Sequence, residues 1–434
     1  MNKDMDANAS SGGSAAITLV KNQFGPPIAP VVPPGSCQPS SSLSALVNIK
    51  AKTVVSYVPK GHWSGGSSGV SAVNVEGASI VPTNIATPNV VNSCASNSVT
   101  GQTVCTANNT DVYLLTGTTL NSTLTSGASS TIGFSGGRCA NCGVAMDGVH
   151  NKALISLSLA GVGGFQLLDL AGPTFEPAFA SKAPAGTEVN ISEDPLIDPT
   201  RNTLGLNSVT GNGNGALLLS ASEPGGYEII DLTASTTPAF FENTISGSFP
   251  DSSAEDCTTG IALSPLEFNA PTQVYLADLT QAHYIAGSPG TWTAPSQVQT
   301  LSESFMVSSP TAAGPIAVAQ GPHIGFLATE FGGNTITAFL LPATSGVVTP
   351  AITDWVSCNI SGFSDGFDPH TITAYQSPNS NDAIGLLANG TATSLAVVDL
   401  TKVLNPAIVP RTVAGHGCAS GTLPASVVSF VSVP

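Results

Sequence analysis

One short pattern recurs along the chain and constrains its fold more than any other feature. It runs from glycine or polar residues through aliphatic residues to Asp-Leu, as in residues 163–170 and 225–232. Self-similarity at intervals of 40 to 62 residues is typical of stacked or radially arranged units, none of which buries its apolar face alone. Aligned on its seventh position, the pattern occurs seven times, at Asn74, Leu114, Asp169, Asp231, Asp278, Ala338 and Asp399.

Each unit has the pattern of β-strands. The runs 153–159, 216–220 and 384–388 are short and aliphatic, and turns rich in Gly, Asn and Ser follow them. Helical periodicity is nearly absent, which excludes a helical solenoid. Units of this length, with about four strands each, fit the blades of a β-propeller better than the shorter coils of a β-helix. The sequence therefore predicts an all-β fold, a seven-bladed β-propeller.

The two ends of the chain are expected to close this propeller. Segment 53–59 (TVVSYVP) resembles segment 426–434 (SVVSFVSVP), so we expect an inner and an outer strand of one shared blade. The propeller would then span residues 43–434 as a single domain. Residues 1–42 are predicted to be a flexible or strap-like arm, because the six prolines in 24–42 favour an extended, polyproline-like segment.

Charge and composition restrict the partners and the location. The chain has 11 Lys+Arg against 27 Asp+Glu, a net charge of -16, and no basic run that would neutralise nucleic acid or an anionic membrane. No stretch reaches the roughly 18 consecutive apolar residues that cross a bilayer. A composition rich in Ser, Thr and Gly, poor in Lys and with eight cysteines, predicts an extracellular or cell-surface protein whose export signal was removed upstream of Met1.

The cysteines are predicted to form structural disulfides. The pair Cys139 and Cys142 lacks the histidine that follows in a c-type haem site, and the other cysteines are too scattered for a four-thiolate zinc site. We expect a Cys94–Cys105 disulfide, and Cys37 pinning the arm to the propeller with Cys418 as its partner. Five cysteines are assigned to connections between blades, namely Cys139, Cys142, Cys257, Cys358 and Cys418. Pairing of the others stays open.

Two segments before predicted strands carry a family resemblance. Residues 197–202 read Ile-Asp-Pro-Thr-Arg-Asn, and residues 146–151 are a near copy. With the glycine-rich turn and the Asp-Leu ending, they resemble the bacterial extracellular β-propellers of the YVTN and lactonase-like kind from about Val54 onwards, although the YVTN tetrapeptide is absent. For a lactonase-like member, the resemblance implies a channel cation that polarises a carbonyl while an acid/base group moves protons.

Acidic residues collect in segments predicted to connect blades. Residues directly before an innermost strand border the channel of a propeller, so these side chains would meet at one mouth and bind Ca²⁺ or another divalent cation. The alternative is that they cap turns by accepting backbone hydrogen bonds, since no two segments share ligand spacing. The candidates are Glu193, Asp194, Glu255, Asp256, Asp365, Asp368 and His370.

No residue set points to nucleophilic catalysis. The chain has no Gly-x-Ser-x-Gly elbow, phosphate-binding loop or paired-histidine motif, and the Asp of the repeated pattern is expected to hydrogen-bond within its blade. The sequence favours a binding or assembly scaffold that presents its loops to a protein, a glycan or other copies of itself, with no certain cofactor. The alternative is a metal-dependent, lactonase-like hydrolase with a cation at the channel mouth.

Overall fold

The computed structural model describes most of the chain from residue 37 onwards. The described residues are 37–38, 43–61, 67–77, 80–129, 132–133, 138–159, 162–180, 195–197, 217–222, 226–231, 239–243, 249–250, 252–267, 272–281, 283–285, 291–301, 313–329, 333–344, 350–364, 371–390, 393–413 and 415–434. Nearly all regular structure in them is β-strand. None of the helices in these segments has the length and hydropathy needed to span a bilayer.

The chain enters with strand β1 (Cys37–Gln38) and then forms two four-stranded antiparallel sheets in which consecutive strands pair. Sheet I contains β2 (Ser44–Asn48), β3 (Thr53–Pro59), β4 (Val70–Glu76) and β5 (Thr83–Ile85). Sheet II contains β6 (Val91–Asn97), β7 (Gln102–Ala107), β8 (Asp111–Thr116) and β9 (Thr119–Thr125).

Two further sheets follow the short hairpin of β10 (Ile132–Gly133) and β11 (Arg138–Cys139). Sheet III contains β12 (Asn141–Asp147), β13 (Lys152–Leu159), β14 (Val162–Asp169) and two short outer strands, β15 (Thr174–Phe175) and β16 (Phe179–Ala180). β1 joins this sheet by pairing with β12. Sheet IV contains β17 (Leu217–Ser222), β18 (Gly226–Asp231) and β19 (Ala239–Asn243).

Sheet V begins with two short pieces, β20 (Phe249–Pro250) and β21 (Ala254–Asp256), that both pair with β22 (Ile261–Glu267). It continues with β23 (Gln273–Asp278). A single 3₁₀ turn (Leu279–Gln281) and a hairpin of β24 (His283–Ile285) and β25 (Thr291–Thr293) precede its outer strand, β26 (Ser296–Thr300).

The last two sheets are linked by an excursion of the chain. Sheet VI contains β27 (Ala313–Ala319), β28 (Ile324–Thr329), β29 (Thr335–Leu340) and β30 (Asp354–Asn359). Sheet VII begins with β31 (Ile372–Gln376), β32 (Ala383–Ala388) and β33 (Ser394–Asp399). Helix α1 (Leu400–Leu404) and β34 (Gly417–Thr422) follow, and β34 pairs in parallel with β30 before β35 (Val428–Ser432) completes sheet VII.

Packing of neighbouring first strands identifies the fold as a β-propeller. β2 contacts β6, β6 contacts β12, β21 contacts β27, and β27 contacts β31. β31 then contacts β2, so the series returns to its start, while β17 and β18 of sheet IV contact β20 of sheet V. Four-stranded antiparallel sheets whose last member packs against the first in this way are the blades of a propeller. The predicted β-propeller is confirmed.

The number of blades differs from the predicted seven. Six sheets have four or more strands and are complete blades, whereas sheet IV has three. The repeated pattern lies on the third strand of each complete blade and on β18 of sheet IV, so β17 to β19 correspond to the second to fourth strands. Residues 198–216, directly before β17, lie outside the described residues. The described residues therefore contain six complete blades rather than seven.

Apolar side chains on both faces of the six complete blades explain their aliphatic strand runs. One core cluster joins residues of sheets V and VI, another joins sheets VI and VII, and a third joins sheets VII and I. Between sheets VI and VII, the Phe326 ring packs so closely on Gly385 that a Cβ there would lie 2.8 Å from it. Strands buried on both faces read as continuous rather than alternating apolar runs.

The prediction that the two ends of the chain share one blade is wrong. β3 pairs with β2 and β4, whereas β35 pairs with β33 in another sheet. Sheets I and VII are joined instead by packing and by the carboxylate of Glu76. It accepts hydrogen bonds from Tyr375 Oη, Ser377 Oγ and Asn379 Nδ2, each at 2.8 Å. Burial, reinforced by Glu76, raises the pKa of Tyr375 well above its ordinary value, which keeps this donor protonated.

Glu76→Ala is expected to lower the free energy of unfolding by about 2–4 kcal/mol, because it leaves the buried Tyr375 and Ser377 hydroxyls without their acceptor. Urea unfolding followed by circular dichroism measures the change. Glu176→Ala is the control, since Glu176 forms an exposed ion pair with Lys152 and its loss costs at most about 1 kcal/mol. Equal losses in the two variants would contradict the role of Glu76 in closing the propeller.

Candidate binding face at the first hairpin turns

The first hairpin turn of every complete blade has the same construction. In each, the fifth residue of the turn has a positive φ. The second strand of the blade begins at the next residue or at the one after it. This left-handed conformation is easiest for Gly and Asn. The six residues are Lys52 (54°), Gly101 (78°), Asn151 (55°), Gly260 (72°), His323 (57°) and Asn381 (63°).

A side-chain oxygen at the first position caps five of these turns by accepting backbone hydrogen bonds two or three residues ahead. The capping residues are Asn48, Asn97, Asp147, Asp256 and Ser377. The turn of sheet VI has Ala319 in this position. Beside it, Gln320 bonds the neighbouring turn, accepting from Cys257 N at 2.6 Å and donating to Glu255 O at 2.7 Å.

Contacts between neighbouring turns show that the turns lie at one end of the sheets. The contacts are Val47 N to Ser98 Oγ (3.0 Å), Asn97 Nδ2 to Asn151 Oδ1 (2.8 Å), His323 Nδ1 to Asp256 Oδ2 (2.6 Å) and Asn379 Nδ2 to Lys52 O (3.2 Å). We call this surface the turn face. It consists of residues 48–52, 97–101, 147–151, 256–260, 319–323 and 377–381.

Two histidines of the turn face are paired with aspartates. His150 Nδ1 lies 2.7 Å from Asp147 Oδ2 within one turn, and His323 bonds the fully buried Asp256 of the neighbouring sheet. The hydrogen bond to the aspartate raises the pKa of each histidine above its ordinary value, against the opposing effect of burial. Protonation of either histidine therefore strengthens a contact of the turn face.

Asp256, one of the predicted metal ligands, caps a turn and bonds His323. Glu255 and Asp256 lie at the carboxyl end of the inner strand β21, not before an inner strand as predicted. Asp256 Oδ1 accepts from Thr258 N at 3.1 Å and from Thr258 Oγ1 at 2.5 Å, and its other oxygen bonds His323. This is the turn-capping alternative.

The remaining metal candidates, Glu193, Asp194, Asp365, Asp368 and His370, lie outside the described residues. Within the segments that the structure describes, no group of three His, Cys, Asp or Glu side chains is arranged to hold a metal ion. A cation site formed by the undescribed residues stays a prediction.

The aspartates of the repeated pattern stabilise the ends of third strands. Asp169 Oδ1 accepts from Ala171 N at 2.8 Å, Asp278 Oδ1 accepts from Thr280 N at 2.9 Å, and Asp399 Oδ1 caps helix α1 by accepting from Lys402 N at 3.0 Å. The expected hydrogen bonding within the blade is confirmed for these three residues.

The disulfides agree with one expected pairing and correct another. Cys94 and Cys105 are bonded across β6 and β7, as expected. Cys418 is bonded to Cys358, not to Cys37, and this disulfide holds β34 against β30. Cys37 lies in β1, which pairs through its backbone with β12.

The assignment of five cysteines to connections between blades holds for Cys139, which lies in the β10–β11 hairpin between sheets II and III, and is wrong for the other four. Cys139, Cys142, Cys358 and Cys418 lie in strands β11, β12, β30 and β34, and Cys257 lies in the first hairpin turn of sheet V. Cys142 and Cys257 are disulfide-bonded as well. The loop assignment failed because short strands with polar residues, such as β34, lack the aliphatic pattern by which strands were recognised.

Three apolar side chains protrude from neighbouring turns of the turn face. Ile49, Val99 and Val149 are 49%, 56% and 47% exposed, and they come from sheets I, II and III. Lys50 and Lys52 are exposed beside Ile49. The sequence contains a signal for these turns that the sequence analysis missed, a capping Asn, Asp or Ser followed four residues later by Gly or Asn in four of them.

Comparison with protein-family models and with curated proteins finds no match. Among solved structures, the β-propeller domain of Cps50 (Swd1) from Myceliophteria thermophila is 10% identical with a TM-score of 0.47, covering 80% of this chain and 94% of that one. U3-55K is 8% identical with a TM-score of 0.46, covering 83% and 88%. Hydrazine synthase from Kuenenia stuttgartiensis is 9% identical with a TM-score of 0.49, covering 83% and 95%.

The His323–Asp256 pair is expected to make stability depend on pH. Because the folded-state pKa of His323 is raised, its contribution is fully present below the ordinary value of 6.5 and is lost as the pH rises through the folded-state pKa. Urea midpoints measured between about pH 5.5 and 8 should fall with pH, and less steeply in His323→Asn, because asparagine tolerates the left-handed φ without titrating. His150→Asn is measured alongside, because His150 is the other turn-face histidine with a raised pKa. If the urea midpoint of His323→Asn fell with pH as steeply as that of the unmodified protein, the assignment would be contradicted.

Proposed function

We propose that this β-propeller is an exported or cell-surface scaffold that binds a protein partner through the turn face of sheets I to III. The observation that carries the proposal is the exposure of Ile49, Val99 and Val149 on three neighbouring turns. Apolar side chains clustered on a polar surface are typical of protein-binding sites, where a few central residues supply most of the affinity.

The turns that present these side chains are held in place before any partner binds. Asn97 and Asp147 cap their turns, and the Asn97–Asn151 hydrogen bond joins the turns of sheets II and III. The bond from Val47 N to Ser98 Oγ joins sheet I to sheet II. A surface fixed in this way loses little conformational entropy on binding.

The charges around this surface favour a partner with acidic groups. Lys50 and Lys52 are exposed on a chain whose net charge is -16, so the turn of sheet I is locally positive. Lys152 is matched by Glu176 at 2.6 Å, and His150 is matched by Asp147. Electrostatic complementarity of this kind contributes to the choice of partner and to the rate of association.

Disulfides support the export part of the proposal. Cys94–Cys105 and Cys358–Cys418 are both formed, and such bonds persist in oxidising compartments. The lactonase-like alternative has no described observation in its favour, since Asp256 caps a turn and its other candidates, apart from Glu255, lie in 193–194 and 365–370.

Loss of the Cys358–Cys418 disulfide is expected to cost more stability than loss of Cys94–Cys105. Their sequence separations are 60 and 11 residues, which correspond to about 4 and about 3 kcal/mol of unfolded-state restriction. Urea unfolding of C358S/C418S and of C94S/C105S, each against the unmodified protein, measures the two losses. A larger loss in C94S/C105S would show that native-state packing, rather than chain restriction, dominates.

Selection of peptides from a displayed random library on the immobilised protein tests the binding face. Selected peptides should bind the I49S/V99S/V149S variant at least about tenfold more weakly, the loss expected on removing apolar hot-spot contacts. The control is V298S/F430S, which removes exposed apolar side chains from outer strands of sheets V and VII and should keep full affinity. Equal binding to all three proteins, or failure to enrich any peptide, would overturn the proposed function.

A further inference from the structure

The outer strand of sheet VII, β35, is an open and regular sheet edge. It pairs with β33 in continuous register from Val398↔Val428 to Ser394↔Ser432, without a bulge. In the described part of the chain, no strand pairs with its second edge. An edge strand of this kind presents unpaired backbone N–H and C=O groups to any strand of suitable shape.

Most other outer strands of the complete blades have a feature that discourages pairing. β5 has three residues, and β15 and β16 have two each. β9 is interrupted by a bulge between the pairs Leu114↔Ser122 and Leu115↔Leu120, and β30 is covered by β34. Short length, bulges and covering strands are the usual protections of a sheet edge. β26 is regular as well, but its sequence Ser-Gln-Val-Gln-Thr is mostly polar.

Composition distinguishes β35 from β26. Its sequence is Val-Ser-Phe-Val-Ser, and Phe430 at its centre is 44% exposed. The segment 412–434 contains no Asp, Glu, Lys or Arg, although the chain as a whole carries a net charge of -16. Residues 279–302 around β26 lack these residues as well, so a second copy of this acidic chain meets little charge repulsion at either edge. The apolar side chains of β35 are what distinguish it.

We propose that β35 pairs antiparallel with β35 of a second copy across a two-fold axis. Self-pairing of one strand about its middle residue places Phe430 opposite Phe430 of the second copy, and a cross-strand aromatic pair stabilises such a contact. The two four-stranded sheets VII would then form one continuous sheet. A single pair of short strands buries little area, so the association is weak and depends on concentration.

This inference is independent of the turn face, because β35 lies on the outer edge of sheet VII and the proposed binding residues lie on sheets I to III. The two proposals therefore fail separately. The I49S/V99S/V149S variant should retain self-association, and F430K should retain binding of the selected peptides.

Sedimentation velocity of the full chain between about 1 and about 300 µM, the range in which weak interfaces dissociate, tests the pairing. The unmodified protein should shift from monomer towards dimer, whereas F430K should stay monomeric, because a lysine in the middle of an edge strand opposes strand addition. V298K is the matched control, since Val298 is 39% exposed at the centre of β26, and it should dimerise normally. Urea unfolding confirms that both variants are folded.

Hydrogen exchange locates the contact. Amides of Val428, Phe430 and Ser432, which alternate along β35 with the amides that face β33, should exchange more slowly at high than at low protein concentration, and this difference should vanish in F430K. A monomer at every concentration, or loss of the dimer in V298K as well, would overturn the proposal. Equal protection of these amides at every concentration would also overturn it, because the edge would then be covered within a single molecule.

Discussion

Burial of apolar side chains between neighbouring sheets is the interaction on which the rest of this structure depends. The aliphatic strand runs whose burial the structure describes, such as 153–158 and 384–388, are covered on both faces, and three core clusters each combine residues from two adjacent sheets. The contact of Phe326 with Gly385 shows how close this packing is. No sheet could bury its faces alone, so the blades require each other, as repeat architectures generally do.

The fold could be predicted from the sequence because this interaction leaves a periodic trace. The third strand of each blade carries the repeated pattern, and its aspartate reappears as a hydrogen-bond acceptor at Asp169, Asp278 and Asp399. The contact that joins the first and last sheets has no such periodic pattern in the sequence. It depends on Glu76 meeting Tyr375 across a separation of 299 residues, and local similarity of the two chain ends pointed to a shared sheet instead.

The turn face was harder to predict from the sequence. Its residues occupy equivalent positions in successive turns, but they are of different residue types. Asp256 was recognised as important, yet its partner His323 is 67 residues away and its role is to cap a turn. Ile49, Val99 and Val149 attract no notice in a chain with 41% hydrophobic residues. Only alignment of the turns in space makes them neighbours. Cys418 was recognised but paired wrongly, because β34 has no aliphatic pattern.

The path of the chain between β33 and β35 affects the order in which the sheets separate when the protein unfolds. This segment crosses to the preceding sheet, adds β34 to β30 and is fastened there by the Cys358–Cys418 bond and by the two-pronged contact of Arg411 with Asp354, at 2.5 and 2.7 Å. The disulfide and the ion pair thus link sheet VI to the segment that connects the strands of sheet VII. Where Glu76 joins sheets I and VII, side-chain hydrogen bonds and packing hold the interface, so heat or force is expected to separate sheets I and VII before it separates sheets VI and VII.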